Sequence, residues 1–209
     1  MSFLTVGGFS AVSAVVTMPL TGLWRVDADL DADELPSGVA LVEAPGLSLA
    51  GTFVKSGEFA GRYRVTVEPG TGRLAETVVA RFFRNATYQQ IIAETLREVG
   101  ESLAPSPLSG VVSHWVRESG PASATVKLVA AALGLAWGAT DDGLLRLFSP
   151  TWDNLSIDSA EVIDRDDTSG LLNLGTVDLS ARPGFRIEGK QAVAVRHHVS
   201  DTIRTEVIF

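Results

Sequence analysis

Residues 84–148 read RNATYQQIIAETLREVGESLAPSPLSGVVSHWVRESGPASATVKLVAAALGLAWGATDDGLLRLF, and this stretch decides the fold. Residues 84–90 are predicted to open a helix, because Thr87 and the glutamine three positions later have the spacing of a capping box. Apolar residues then recur at helical spacing. Pro121 is placed to open a second helix, and Gly134 is placed to end it.

Extended segments lie beside the second predicted helix. Residues 113–119 alternate well enough to predict a strand. Further on, the turn sequence DDG at 141–143 joins two short apolar segments and predicts a β-hairpin. Trp115 lies in the predicted strand and Trp137 in the first arm of the hairpin, so we expect both indoles to pack on the second helix.

The segments on both sides of this stretch have the pattern of β-structure. Short apolar runs, many alternating and separated by turn residues, predict strands at 11–18, 22–30, 39–42, 47–55, 61–68, 75–82, 160–163, 171–174, 177–179, 185–188, 192–199 and 202–209. Short strands with regular turns suggest a closed barrel or a sandwich. We therefore predict a β-rich α+β protein, with barrel-like domains of antiparallel strands and a small helix-containing insert.

The predicted chain has three parts. Residues 1–82 form an N-terminal barrel-like part, residues 83–148 a helix–hairpin insert, and residues 149–209 a C-terminal β part that completes or adjoins the barrel. We expect N- and C-terminal strands to share one barrel, with the middle part inserted into it or packed beside it.

Four motifs follow one another along the middle of the chain. Their residues are Thr87, Ile91, Ile92, Leu96, Gly100, Trp115, Arg117, Glu118, Ser119, Leu128, Val129, Leu133, Gly134, Asp142 and Gly143. In this order they resemble the hub proteins of phage tail baseplates and the related hub part of type VI secretion spike proteins. A second set of residues, near the C-terminus, resembles the closing strands of such hubs. These residues are Arg182, Pro183, Gly184, Gly189, Val193, Val195, His197, His198, Arg204, Thr205, Glu206 and Val207.

The resemblance implies a structural virion protein, a baseplate or tail hub that forms a homotrimeric ring between the tail tube and a central spike. The implied partners are the tail tube protein, the central spike protein and other baseplate subunits, and the ring would be assembled in the host cytoplasm and end in the virion. The candidate interface or packing residues are Trp115, Arg117, Glu118, Trp137 and Arg204. Many such hubs are longer, so this chain is expected to be a reduced hub or to share the work with another protein.

Composition excludes several classes of function. The formal net charge of -8 argues against a nucleic-acid binder, because phosphate contacts require a basic face. The absence of cysteine excludes disulfides and thiolate metal sites. No apolar run reaches the roughly 20 residues that a membrane-spanning helix needs. We expect no cofactor, no sequence-specific nucleic acid and no membrane insertion of this chain.

Alternating carboxylates near the N-terminus are the first candidate for metal chemistry, and they are Asp27, Asp29, Asp31, Asp33 and Glu34. A calcium-binding EF-hand loop beginning at Asp27 would need glycine at its sixth position and glutamate at its twelfth. Those positions hold Ala32 and Gly38. The pattern therefore predicts a solvated acidic face or loop tip, which could meet a basic partner subunit.

The remaining candidates for chemistry are two histidines and a carboxylate cluster. His197 and His198 are adjacent, so on a strand they point to opposite faces and are expected to be structural. The cluster Asp164, Asp166 and Asp167 is expected to lie in a polar loop. No nucleophile elbow, phosphate-binding loop or arranged triad is present, so we expect no enzyme. Two alternatives stay open, a tail-associated cell-wall hydrolase and a glycan-binding β-domain.

Overall fold

Six strands close into an antiparallel barrel. A computed structural model describes residues 3–105, 108–154, 161–175 and 179–209. The barrel strands are β1 (Thr5–Val6), β2 (Phe9–Pro19), β3 (Arg25–Asp31), β4 (Val39–Ala44), β5 (Leu47–Phe59) and β6 (Arg62–Pro69). They are arranged in the order β1-β4-β5-β6-β3-β2, and pairing of β1 with β2 closes the ring of strands. The predicted β-rich fold with a barrel of antiparallel strands is confirmed.

A two-residue strand completes the barrel. Gly7 and Gly8 have φ angles of 60° and 87°, and they turn the chain tightly from β1 into β2. Glycine adopts positive φ without the steric cost of a Cβ atom, which permits this short hairpin. Thr5 then lies opposite Ser10 of β2 on one side and opposite Glu43 of β4 on the other.

The middle of the chain packs two helices against short strand pairs. Its elements are β7 (Thr77–Val78), β8 (Arg81–Thr87), α1 (Tyr88–Glu98), β9 (Val111–Arg117), β10 (Gly120–Pro121), α2 (Ala122–Leu133), β11 (Ala136–Ala139) and β12 (Leu145–Phe148). The pairs are β7–β10, β8–β9 and β11–β12, all antiparallel. One apolar core lies between them and includes Ile91, Ile92, Val126, Val129 and Trp137. No helix of the described residues is long and apolar enough to cross a membrane.

The helix ends follow the sequence signals closely. Thr87 is the N-cap of α1, and its side chain accepts a hydrogen bond from the Gln90 N–H in a complete capping box. α2 begins after Pro121 and ends at Gly134, whose φ of 65° is left-handed. The predicted opening of α1 was too early, because residues 84–87 belong to β8 and the helix begins at Tyr88.

The C-terminal strands extend the barrel sheet. The remaining elements are β13 (Asp153–Asn154), β14 (Glu161–Asp166), β15 (Leu171–Gly175), β16 (Phe185–Ile187), β17 (Lys190–Gln191), β18 (Ala194–Val199) and β19 (Ile203–Ile208). β18 pairs with β2, and β19, β15 and β14 follow it outward. The strands β13, β16 and β17 form a separate small sheet, and an apolar cluster joins β16 to β15, β18 and β19. The expectation that N- and C-terminal strands share one barrel is wrong, because six N-terminal strands close it alone. The division at 1–82, 83–148 and 149–209 stays a prediction.

The predicted strand 75–82 is interrupted. β7 ends at Val78 and β8 begins at Arg81. Val79 leaves the strand pairing because its N–H donates to Glu98 Oε1 at 2.7 Å and its carbonyl accepts from the Arg117 guanidinium. Side-chain hydrogen bonds therefore replace the strand partners at this point.

The predicted polar loop around the aspartate cluster is also wrong in part. Asp164 and Asp166 lie on β14, and only Asp167 falls in the turn that follows. Every residue of β14 is exposed, so the segment lacks the alternation that marks a half-buried strand. Residue 160 and residues 177–178, parts of two other predicted strands, lie outside the described residues.

Candidate functional site

Buried polar contacts, a cavity and charged surfaces carry the specific chemistry of the described residues. The described residues contain no group of three or more His, Cys, Asp or Glu side chains that could hold a metal ion.

Arg117 is the most buried charged residue of the helical part, with a side chain that is 1% exposed. Its Nε and Nη2 donate to the Val79 carbonyl at 3.0 and 2.8 Å, and its Nη1 donates to Thr95 Oγ1 at 3.0 Å. Nη2 also donates to Glu98 Oε2 at 2.6 Å. The planar guanidinium thus fixes the end of β9 to α1 and to the β7–β8 connection.

Glu98 supplies the opposite charge for this guanidinium. Each of its oxygens has its own donor, since Oε1 accepts from the Val79 N–H and Oε2 accepts from Arg117. The Val79 N–H, followed by the Arg117 guanidinium, holds the pKa of Glu98 below its ordinary value, although partial burial acts the other way. Glu98 is therefore a firmly ionised partner for a charge that has no access to water.

A buried carboxylate, that of Glu101, joins the helical part to the barrel. Glu101 Oε1 accepts from Thr71 Oγ1 at 2.7 Å and from the Arg73 N–H at 2.9 Å, and Oε2 accepts from the Thr71 N–H at 3.1 Å. Thr71 follows the last barrel strand, β6. Glu101 therefore fixes the chain where it leaves the barrel.

A cavity of about 300 Å³ lies where the barrel, the β11–β12 hairpin and the C-terminal part meet. Met18 and Trp24 line it from the barrel, Arg146 and Phe148 from the hairpin, and Arg182 from the C-terminal part. The Arg146 guanidinium stacks 4.4 Å from the centre of the Phe148 ring. The cavity thus combines apolar walls with two cations and the carboxylate of Asp141, which lies 4.0 Å from Arg182. Its Trp24 is buried and offers no exposed aromatic platform for a sugar.

The five residues predicted from the sequence are not brought together in one place. Trp115 is half-buried and meets Tyr88 of α1 edge-on, with ring centres 5.9 Å apart. Trp137 is buried in the core of the helical part, whereas Glu118 is exposed. Arg204 lies on β19 and donates to Glu206 at 3.2 Å. Arg117 is the buried centre described above, and an interface role for any of the five stays a prediction.

Two of the five alternating carboxylates form ion pairs within the described residues, and the other three do not. Burial opposes the ionisation of Asp27, but hydrogen bonds from Arg25 and Thr66 hold its pKa below the ordinary value. The pKa of Asp29 is also held below its ordinary value, chiefly by Arg64, whose Nε lies 2.8 Å from Asp29 Oδ1. Both carboxylates lie on the outward side of β3, with side chains that are 45% and 25% exposed, so the predicted solvated face holds for them although arginines pair with both. The other three, at 31, 33 and 34, are exposed.

The two histidines point to opposite faces of β18, as predicted. His197 is fully buried, with Nε2 3.1 Å from the Ala181 carbonyl oxygen and Nδ1 2.8 Å from Thr205 Oγ1. His198 faces the other side, with Nε2 3.1 Å from Glu206 Oε1. Burial opposes the ionisation of Glu206, but contacts with His198 and a neighbouring arginine hold its pKa below the ordinary value.

One surface was missed by the sequence reasoning. Phe82 and Arg84 on β8 lie directly opposite Val116 and His114 on β9, and all four side chains are exposed on the same face. The Phe82 and His114 rings stack with centres 5.8 Å apart, and the Arg84 guanidinium lies 5.6 Å from the Phe82 ring centre. The alternation of side-chain direction along residues 81–87 and 111–117, combined with antiparallel pairing of these two segments, would have predicted this face.

This arrangement of barrel, helical part and sheet extension occurs in solved structures. The 43 kDa tail protein of a Shewanella oneidensis prophage has a TM-score of 0.69 at 10% identity, over 98% of this chain and 96% of that one. A tail protein from Neisseria meningitidis has a TM-score of 0.63 at 12% identity, over 98% of this chain and 94% of that one. The chain has the fold of phage tail proteins.

A type VI secretion component shares the same fold. This Escherichia coli protein, itself described as structurally similar to bacteriophage tail proteins, has a TM-score of 0.69 at 12% identity, over 98% of this chain and 76% of that one. The resemblance predicted from the sequence is thereby confirmed at the level of the fold. No protein-family model and no curated protein sequence matches the chain.

Proposed function

We propose that this chain is a structural component of a phage-type tail, in which it forms a hub ring between the tail tube and a central spike. The observation that carries the proposal is the shared fold with two tail proteins and a type VI secretion component over 98% of the chain. The proposed role is non-enzymatic, and the proposed location is the virion tail baseplate, after assembly in the host cytoplasm.

The proposed ring is a homotrimer that contacts the tail tube protein, the spike protein and other baseplate subunits. Two β units lie in each copy, the closed barrel and the C-terminal sheet that extends it. Three copies would therefore place six β units around the axis. Such a ring can match a six-fold tube on one side and a three-fold spike on the other, by complementary surfaces rather than by catalysis.

The test is the absolute mass of the purified chain in solution, measured by light scattering alone and after mixing with the tube and spike proteins encoded beside it. We expect a trimer, or a monomer that becomes trimeric when the spike is added. A chain that stays monomeric and ignores both proteins would contradict the proposal. Turbidity of purified cell walls and binding to a glycan array test the two alternative functions, and we expect no signal in either.

A further inference from the structure

Two exposed strand faces of opposite character lie on different parts of the molecule. The first, the aromatic face, consists of Phe82, Arg84, His114 and Val116 on the β8–β9 pair. Arg84 makes no ion pair within the described residues, and its cation lies against the Phe82 ring. The face therefore offers a stacked aromatic and aliphatic surface with positive charge and no carboxylate.

The second, the acidic face, lies on the barrel wall. Val39 and Leu41 of β4 point outward, and Val39 is 84% exposed. The β3–β4 connection beside them adds the exposed side chains of Asp33, Glu34 and Leu35. Neither carboxylate forms a salt bridge within the part of the chain that the structure describes. This face therefore combines apolar side chains with negative charge.

The acidic face is held in shape before any partner arrives. Ser56 Oγ donates to the Pro36 carbonyl at 2.7 Å, and the Phe53 N–H donates to the Gly38 carbonyl at 2.9 Å. Both contacts fix the β3–β4 connection to β5. A surface that is already ordered loses less conformational entropy on binding, which favours its use as a contact.

We propose that the acidic face of one copy packs on the aromatic face of the next copy in the ring. In this contact the apolar side chains of the two faces pack together, and Asp33 and Glu34 come close to the Arg84 cation, so charge and hydrophobicity are both complementary. The two faces are different surfaces of the chain, so the contact is head-to-tail, and such contacts generate a ring when the rotation closes. The inference rests on the proposed function, because it names the surfaces that would build that ring.

Two paired substitutions test the contact directly. V39S with L41S removes the apolar part of the acidic face, and F82S with V116S removes that of the aromatic face. All four side chains are exposed, so circular dichroism and melting should show that both variants keep the fold. We expect each variant alone to stay monomeric under conditions in which the wild type assembles.

Mixing the two variants distinguishes a head-to-tail contact from any other. In a 1:1 mixture one intact aromatic face meets one intact acidic face, so we expect a species of twice the 22.1 kDa chain mass and nothing larger. Variants that both assemble like the wild type would overturn the face pairing and leave the ring proposal standing. A folded mixture that stays monomeric would overturn the head-to-tail geometry.

Charge reversal supplies an independent readout. We expect R84E to weaken assembly at least about tenfold, because it places a carboxylate opposite Asp33 and Glu34, and high salt to weaken wild-type assembly. R146E is the matched control, because Arg146 also stacks on a phenylalanine but lies at the junction cavity. Equal effects of R84E and R146E would contradict the proposal. A wild-type chain that never assembles, even with tube and spike proteins, would overturn the ring itself.

Discussion

The substitution E98Q tests whether the buried Arg117 depends on its carboxylate. Glutamine keeps the shape of glutamate but has one acceptor oxygen, whereas Glu98 uses one oxygen for the Val79 N–H and the other for Arg117. In either amide orientation an NH2 group faces a donor, and the guanidinium loses its counter-charge. The loss of a hydrogen bond to a charged group costs about 1.5–3 kcal/mol. Because the Glu98 side chain is 30% exposed, water can replace part of this bond. We therefore expect E98Q to lower the free energy of unfolding by about 2 kcal/mol.

The same helix provides a matched control. Glu94 is 28% exposed, much like Glu98, but its partner Arg81 is 50% exposed, whereas Arg117 is 1% exposed. E94Q should therefore cost less than about 1 kcal/mol, as surface ion pairs do. Both free energies of unfolding are measured by urea denaturation, followed by fluorescence and circular dichroism. Equal costs for E94Q and E98Q would refute the argument that burial of the arginine sets the magnitude.

The pH dependence of this difference follows from the pKa of Glu98. Because its pKa is lower in the folded protein than its ordinary value of 4.5, ionised Glu98 stabilises the fold fully above that value. This contribution is lost as the pH falls through the folded pKa. The stabilities of the wild type and of E98Q should therefore converge in acid. A difference that stays constant from neutral pH to well below 4.5 would contradict the assignment.

Two further substitutions test the barrel and its connection to the helical part. In G51A the added Cβ would overlap the Glu68 carbonyl oxygen, so we expect urea denaturation to show a free energy of unfolding lower by about 1–3 kcal/mol. Gly57 lies on the same strand with open space around it, so G57A should leave the free energy of unfolding nearly unchanged. E101Q leaves one acceptor oxygen for three donors, so amide exchange in the turn after β6 should accelerate. The same exchange should be unchanged in E76Q, which alters only an exposed ion pair.

Local signals predicted the helical part well, because its boundaries are set by residues close in sequence. Thr87 caps α1 through a contact three residues away, and Gly134 ends α2 by its own backbone conformation. The turn at 141–143 likewise joins neighbouring strands. Each of these features depends on a single turn of chain, so a sequence window of that length contains the necessary information.

Short sequence windows could not predict contacts between residues that are distant in the chain. Arg117 alternates like any strand residue, and its partners Val79 and Glu98 lie 38 and 19 positions away. The strand β1 has only two residues, too few to show a period, yet it closes the barrel. β14 is exposed on both sides, so its sequence has the polarity of a loop. Tertiary contacts, rather than local sequence patterns, specify these elements.

The strand β2 connects the two β units of the subunit and limits how they can move. One of its edges pairs with β1 at Phe9 and Ser10 and with β18 from Ala14 to Pro19, while β3 runs along the other edge. Rotation of the C-terminal sheet against the barrel would break hydrogen bonds within one continuous ladder. In the proposed ring, each copy would therefore present its two β units at a fixed spacing. Adaptation between tube and spike would then have to occur at the contacts between copies, which is where the acidic and aromatic faces lie.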